Sequence, residues 1–357
     1  MSGVYFMAHK AIDLHCDSVY SLMEGKDLRQ RVEGVHIDLP RLRAGKVGLQ
    51  VFAVFIPPEG GYTSSDGSGT FGLGNEPPYN FTIKRLDAIS AFARSDALLT
   101  QVETAAELKA GMAADKTGIM LAIENGLAIE ESLDKLKEFR RRKVRLMTLV
   151  HSAHNSWIAS CTGKEAFSSG CANKGLSVFG EKVIDAMNDL GIIPDVSHAS
   201  ESAFWDVIKR SKKPIIATHS CAYNICAAAR NLKDDQLKAL GDKGGLAGVN
   251  FYSGFLSEPF RLANDQRRKN GEKGPDLSVK VPMSIIADHI DYMVKFAGED
   301  SVGLGSDFDG IPAAPEGVTG SDFYPRLEEE LRSRGYTDKR LEKIFNANFI
   351  RVLEEWD

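Results

Sequence analysis

The chain has 357 residues, 43% of them hydrophobic and 26% charged, the balance of an ordinary soluble globular protein. A formal net charge of −5 gives no concentration of Lys and Arg for nucleic acid, and no run of about 18 apolar residues marks a membrane span. The length equals about two average domains, yet α/β barrels often use 250 residues or more as one unit.

In chain order, the first apolar run is "AIDLH" (11–15), which stops at His15 with Asp17 two positions on. Alternate residues of a strand share a face, so both side chains are expected to point the same way. The run "VGLQVFAVFI" (47–56) follows, then a Gly- and Pro-rich stretch over 57–80 that reads as a long loop over the mouth of the fold. Within it "GSGTFG" (67–72) formally matches a dinucleotide fingerprint, but no strand runs directly into it and Pro77–Pro78 obstruct a helix behind it. Apolar residues three or four apart predict a helix over 80–95. The pattern then alternates: strand 118–125, helix 132–142, strand 144–151, helix 177–191, strand 191–198, helix 200–211, strand 213–220, helix 233–244, strand 245–251. Ser177 offers an N-cap and Gly191 a stop for the helix between them, and the basic "RRRKVR" (140–145) is expected to close a helix, where cations suit the dipole. A polar excursion over 256–281 reads as another loop or lid, followed by a helix over 282–298 and a last strand over 301–308.

Eight strand candidates alternating with helices predict a (β/α)8 TIM barrel, with a doubly wound open sheet as the alternative. Near-continuous apolarity suits strands buried on both faces. One catalytic barrel domain over 1–357 is expected, with loop insertions at about 57–80 and 256–281.

The strand ends carry the chemistry. They read His15 with Asp17, Glu124, His151, His198, His219, Asn250 and Asp307, and only the second strand ends without an obvious polar group. Four of the eight histidines terminate a strand candidate, and catalytic groups of such barrels sit at these ends. Imidazoles and carboxylates without clustered cysteines suit Zn2+ or a similar divalent ion. Three histidines and two carboxylates exceed the needs of one catalytic ion and match two ions sharing a bridging carboxylate with a hydroxide between them. His9, His36, His154 and His289 are read as surface or structural. Five cysteines (Cys16, Cys161, Cys171, Cys221, Cys226) form no CxxC pair, so neither a zinc ribbon nor a thioredoxin-type site is suggested, and reduced thiols are the simplest state. Cys16 and Cys221 flank proposed ligands and are read as small buried residues. The opening "MSGVYFMAHK" lacks the charged region and long apolar core of a signal peptide, so a cytoplasmic protein is expected.

These residues resemble the renal or membrane dipeptidase family, peptidase family M19, a zinc-dependent branch of the amidohydrolase-like barrels. The resemblance runs from about 10 to 355 and is carried by "DLHCDSV", "AIENG", "VRLMTLVHSAHNSW", "GLSVFGEKVIDAMNDLGIIPDVSHAS", "PIIATHSCAYNICAAARNL", "VGLGSDFDG" and "NANFIRVL". It implies two zinc ions, one on His15 and Asp17, the other on His198 and His219, bridged by Glu124 and a hydroxide. It further implies that His151 polarises the substrate, that Arg230 binds the terminal carboxylate, and that Asp307 rather than Asp309 is the catalytic aspartate. Asn250 and Tyr252 would line the pocket. The implied activity is hydrolysis of dipeptides with a free C-terminal carboxylate, L-Xaa-D-Xaa among them, with Asp307 carrying the water's proton to the departing amine.

Animal members carry signal and anchor sequences, and neither is expected here; Cys16 and Ser18 stand where other residues are common in their first motif. The 57–80 loop aligns with nothing in the family. A small dipeptide is the expected partner, with no nucleic acid and no membrane, and a homodimer is left open. The competing enzyme reading keeps the metals and changes the substrate to another small amide, a lactone or a β-lactam. A non-catalytic barrel is disfavoured because all five ligand candidates and Asp307 are present, and no GxSxG elbow supports serine chemistry. Arg230 has a plainer alternative, pairing with Asp234 or Asp235.

Overall fold

The computed structural model describes residues 9–58, 61–63, 70–163 and 175–357. Cys171 and residues 67–69 of the fingerprint-like motif lie outside the described residues.

Eight parallel strands form the barrel: β1 (Ala11–Cys16), β2 (Val47–Phe55), β3 (Thr117–Glu124), β4 (Val144–Thr148), β5 (Ile193–Asp195), β6 (Ile216–Ala217), β7 (Leu246–Val249) and β8 (Val302–Leu304). Each pairs with the next, and β8 returns to β1 through Asp13 and Leu304. That closure excludes the doubly wound open sheet. A short extra strand, Leu99–Gln101, pairs with Thr117–Ile119 of β3, below the point where β4 takes up pairing at Leu121.

The outer layer includes α1 (Pro78–Ala93), α2 (Leu133–Arg141), α3 (Val178–Leu190), α4 (Glu201–Arg210), α5 (Asp234–Asp242), α6 (Glu258–Lys269), α7 (Ser284–Ala297) and α8 (Asn348–Trp356). The Ser177 hydroxyl caps α3 by accepting from the Gly180 N–H, and Gly191 ends it in the left-handed region at φ 73°. Arg140 and Arg141 close α2 as cations at a helix C-terminus. No helix of the described residues is long and apolar enough to cross a membrane.

α6 corrects the reading of 256–281 as a loop. Its first twelve-residue stretch is helical, capped by Ser257 and laced by Arg261–Glu258 and Arg261–Asp265 pairs, with Phe260 as its one buried residue. So polar a segment shows almost no apolar periodicity, although charge pairs at these spacings support a helix.

Two apolar layers hold the barrel. Ile12 and Leu14 of β1, Leu49, Val51 and Ala53 of β2, Met120 and Ala122 of β3 and one residue from each of β4 to β7 fill the interior. α8 closes it from the N-terminal side of the strands with Phe349, Val352, Leu353 and Trp356, the last donating its indole N–H to the Pro214 carbonyl at 2.8 Å. With that end sealed, the polar residues at the C-terminal ends of the strands face the open mouth.

Candidate active site

Glu124, at the end of β3, is the hub. Its Oε1 lies 2.9 Å from His198 Nε2, 3.4 Å from His219 Nε2 and 4.0 Å from His151 Nε2, while its Oε2 lies 3.6 Å from His15 Nε2. His15 Nε2 is also 3.7 Å from Asp17 Oδ2. Simple alternation does not bring His15 here, since Ile12 and Leu14 line the interior. The register between β1 and β2 shifts between Asp13 and Cys16, and a bulge of that kind re-aims the side chains beyond it. His15 and Asp17 therefore reach one site, as expected, by a strand irregularity and the turn after it.

The mouth holds several non-glycine residues in the left-handed region: Asn125 (φ 88°), His198 (68°), Asp307 (63°) and Asp309 (66°). Such conformations are sparsely populated and concentrate where a fold aims side chains for function. Gly310 is required for a different reason. A Cβ there would collide with the carboxylates of Asp17 and Asp307.

A second layer orients the ligand candidates. His219 Nδ1 is 2.7 Å from Thr218 Oγ1, which donates its own hydrogen to Asp195 Oδ2 at 2.6 Å. The threonine oxygen must then accept from His219 Nδ1–H, which leaves the Nε2 lone pair facing Glu124. Asp195 is fully buried and also accepts from Thr148 Oγ1, Ser197 N–H and Thr218 N–H. Under β1, buried Asp13 accepts from the Ser306 N–H and hydroxyl, and its carboxyl is pushed up by burial. The sequence reading passed over Asp195, Thr218 and Asp13. The signal was present as polar residues inside the otherwise apolar runs "GIIPDVSH", "KPIIATHS" and "AIDLH".

Burial and charge set the protonation states. Burial depresses His151 to about 4 and His219 to about 3, and takes His198 well below its ordinary value. Burial would depress His15 too, but Glu124 and Asp17 outweigh it and hold that imidazole well above the usual range. Glu124 is likewise held ionised against burial, chiefly by His15 and His151. His151, His198 and His219 thus offer neutral lone pairs beside an ionised carboxylate, while His15 is held protonated by Glu124 and Asp17 and would exchange that proton for a cation.

The donor set fits a metal. His15 Nε2 and Asp17 Oδ1 are buried without a hydrogen-bond partner, a costly state unless another group serves them. His198 Nε2 and His219 Nε2 stand 3.1 Å apart, both aimed at the same glutamate oxygen. Ligand atoms of His15, Asp17 and Glu124 lie within 4.8 Å of one another, and so do those of Glu124, His151 and His198, and those of His15, His219 and Asp307.

Asp307 accepts from Asn250 Nδ2 at 2.8 Å, and burial pushes its carboxyl up to about 7. Asn250 itself is fully buried and also takes the Tyr252 N–H on Oδ1. It stands behind Asp307 rather than on the pocket wall, because both ends of its amide are spent on neighbours. Tyr252 does line the pocket, with Arg230 and Asp307.

Arg230 is 6% exposed; its guanidinium donates to the His219 carbonyl at 3.0 Å and to Ser220 Oγ at 3.4 Å, and stands 5.5 Å from the Phe255 ring. Its Nε has no partner, and among the described residues no carboxylate lies within ion-pair distance. Asp234 accepts instead from Asn224 and Tyr292, and Asp235 from the Gln236 N–H, which removes the expected alternative pairing.

The other histidines have structural partners. His289 accepts from the Ala222 N–H and donates to the Leu256 carbonyl, His154 accepts from the Ser160 N–H, His9 lies beside Glu328, and His36 holds Asp309. Cys16 and Cys221 are fully buried, as expected of small packing residues.

Above the cluster opens a cavity of about 600 Å3. Tyr20, Phe55 and Phe71 form one wall, and Arg261, Asn264 and Arg268 of α6 border it at the rim. Together the barrel, its buried imidazole–carboxylate cluster and this cavity define a metal-dependent hydrolase of the TIM-barrel type.

Comparison with known proteins narrows the class. The chain belongs to the membrane dipeptidase family, peptidase family M19, whose model matches residues 6–357. An uncharacterized dipeptidase of Schizosaccharomyces pombe is 31% identical over 359 residues, covering 96% of this chain and 79% of that one. A metallo peptidase from Rhodobacter sphaeroides, solved with a phosphinate mimic of the dipeptide L-Ala-D-Ala, superposes with a TM-score of 0.82 at 25% identity, over 98% of this chain and 99% of its own. A probable dipeptidase from Pseudomonas aeruginosa shares the fold, with a TM-score of 0.80 at 21% identity over 98% of this chain and 95% of its own. The protein is a metallo-dipeptidase.

Proposed function

We propose that this dipeptidase is a binuclear zinc enzyme that cleaves dipeptides with a free C-terminal carboxylate, L-Xaa-D-Xaa among them. The observation that carries the reading is Arg230, a buried cation on the wall of the cavity with no carboxylate of its own. Burying a charge unpaired is costly, and a substrate carboxylate is the partner that geometry leaves room for.

His15 and Asp17 would hold one ion and His198 and His219 the other, with Glu124 between them. Metal bound there supplies Lewis acidity and lowers the pKa of water to about 7. Arg230 fixes the peptide by its terminus, which places the single amide over Glu124 and limits substrates to short acids. His151 is neutral at pH 7. Ser152 Oγ lies 3.0 Å from His151 Nδ1; with the hydroxyl as donor the ring proton would sit on Nε2, facing the site, where it would stabilise charge on the carbonyl oxygen. Asp307, poised near neutrality and steered by Asn250, takes a proton and delivers it to the departing amine. The L-Ala-D-Ala mimic held by the Rhodobacter sphaeroides relative supports a D-residue at the second position.

The test is hydrolysis by the zinc-loaded protein of an L–L and L–D dipeptide panel, with C-terminal amides as controls. Cleavage of free acids and not of amides is expected. Equal cleavage of both would sink the carboxylate requirement.

A further inference from the structure

The pocket has a direction, and ring contacts give it. Phe71 lies 6.2 Å from Phe55 between ring centroids, Phe55 lies 4.4 Å from His151, and His151 lies 4.2 Å from His198. His198 and Arg230 both line the main cavity and also share the lining of a second, smaller one that Phe55 and Phe71 do not border. The ring contacts thus run as a chain from Phe71 through Phe55 and His151 to His198, and Arg230 borders the cavities at the His198 end of that chain. A dipeptide with its carboxylate on Arg230 and its amide near His151 and Glu124 would extend its N-terminal residue toward Phe55 and Phe71.

That end is built for an apolar group. The β2 strand ends on Phe55, where every other barrel strand ends on or near a polar residue. Tyr20 closes the corner, 5.8 Å from Phe71 and 6.5 Å from Phe55, and its hydroxyl is spent on the Phe55 carbonyl at 2.8 Å. Phe71 comes from the two-stranded hairpin of Tyr62–Thr63 and Thr70–Phe71. It is 36% exposed, unusually high for an aromatic ring on a cavity wall, and T-shaped contacts to both neighbours hold its ring edge-on at the mouth.

We propose that Tyr20, Phe55 and Phe71 form the subsite for the N-terminal side chain and select dipeptides whose first residue is large and apolar, with Phe71 as the specificity-determining residue. The inference rests on the dipeptidase reading and on Arg230 as the carboxylate end. An apolar side chain seated there covers the Phe71 ring and leaves water, a gain that grows with its area.

The experiment compares kcat/KM for Gly-Ala, Leu-Ala and Phe-Ala with the zinc-loaded wild type, Phe71→Ala and Phe71→Leu. Wild type is expected to favour Phe-Ala over Gly-Ala by about tenfold or more, as apolar pockets do. Phe71→Ala should lower that ratio about tenfold, and Phe71→Leu should restore most of it. Because the readout is a ratio, partial misfolding cannot mimic it. Equal rates on Gly-Ala and Phe-Ala in wild type, or a Phe71→Ala loss that is uniform across substrates, would overturn the proposal while leaving the dipeptidase standing. Silence of the wild type on every dipeptide would overturn the reading beneath it.

Discussion

Replacing Arg230 by Met probes the carboxylate end of the site with little change in bulk, since the methionine can still lie against Phe255. A guanidinium gripping a carboxylate makes two charge-assisted hydrogen bonds, each worth about 1.5–3 kcal/mol. Some of that is offset because Arg230 already spends one N–H on the His219 carbonyl at 3.0 Å. A net loss of about 3–4 kcal/mol follows, or roughly 100- to 1,000-fold in kcat/KM. It should appear mainly in KM, because the clamp grips the ground state and the transition state alike. Steady-state kinetics on a free dipeptide and on its C-terminal amide separate the two contributions of the residue. The lost support to His219 affects both substrates, and the lost clamp only the acid. An unchanged KM for the acid, or equal losses on acid and amide, would refute the clamp.

Two further outcomes follow from groups outside the pocket. Thr218→Val removes the oxygen linking His219 Nδ1 to Asp195, and metal affinity measured by chelator competition should fall about 10- to 100-fold, with Thr218→Ser recovering it; full affinity in the valine variant would remove Thr218 from that role. His289 is buried between the Ala222 N–H and the Leu256 carbonyl, and burial depresses it from 6.5 to about 4. As pH falls below 6.5 the unfolded chain takes up this proton and the folded one does not, so stability declines until about pH 4, by about 3 kcal/mol in all. His289→Gln can keep both hydrogen bonds and should flatten that part of the curve in urea titrations from pH 7 to 4; an unchanged slope would assign the loss to other groups.

Much of this was readable before any coordinates. All eight barrel strands lie within the apolar runs, overrunning them by no more than one residue at either end, because strands covered on both faces are apolar throughout. The abrupt polar endings at His15, Glu124, His198 and His219 marked the mouth for the same reason. What escaped has physical causes. α6 buries only Phe260, so the period that betrays a helix is missing. Asp195 and Thr218 sit one or a few residues before a conspicuous histidine, and their role depends on pairing between β5 and β6 that one strand's sequence cannot express. The shifted register that brings His15 to Glu124 is equally a property of two strands. Phe55 looked like a missing polar group, and its meaning emerged only when the hairpin set Phe71 beside it. Asn250, expected to line the pocket, instead lies fully buried and donates to Asp307, since burial of a strand-end amide is decided by what packs over it.

The central claim is that Glu124 and the four residues around it hold two metal ions. Native mass spectrometry of the wild type and of Glu124→Gln, each dialysed against buffered zinc, tests it without reference to any substrate. The account predicts two ions per chain in the wild type and the loss of at least one in the variant, whose amide cannot bridge two cations. A wild type that binds one ion or none, or a variant that keeps both, would contradict it.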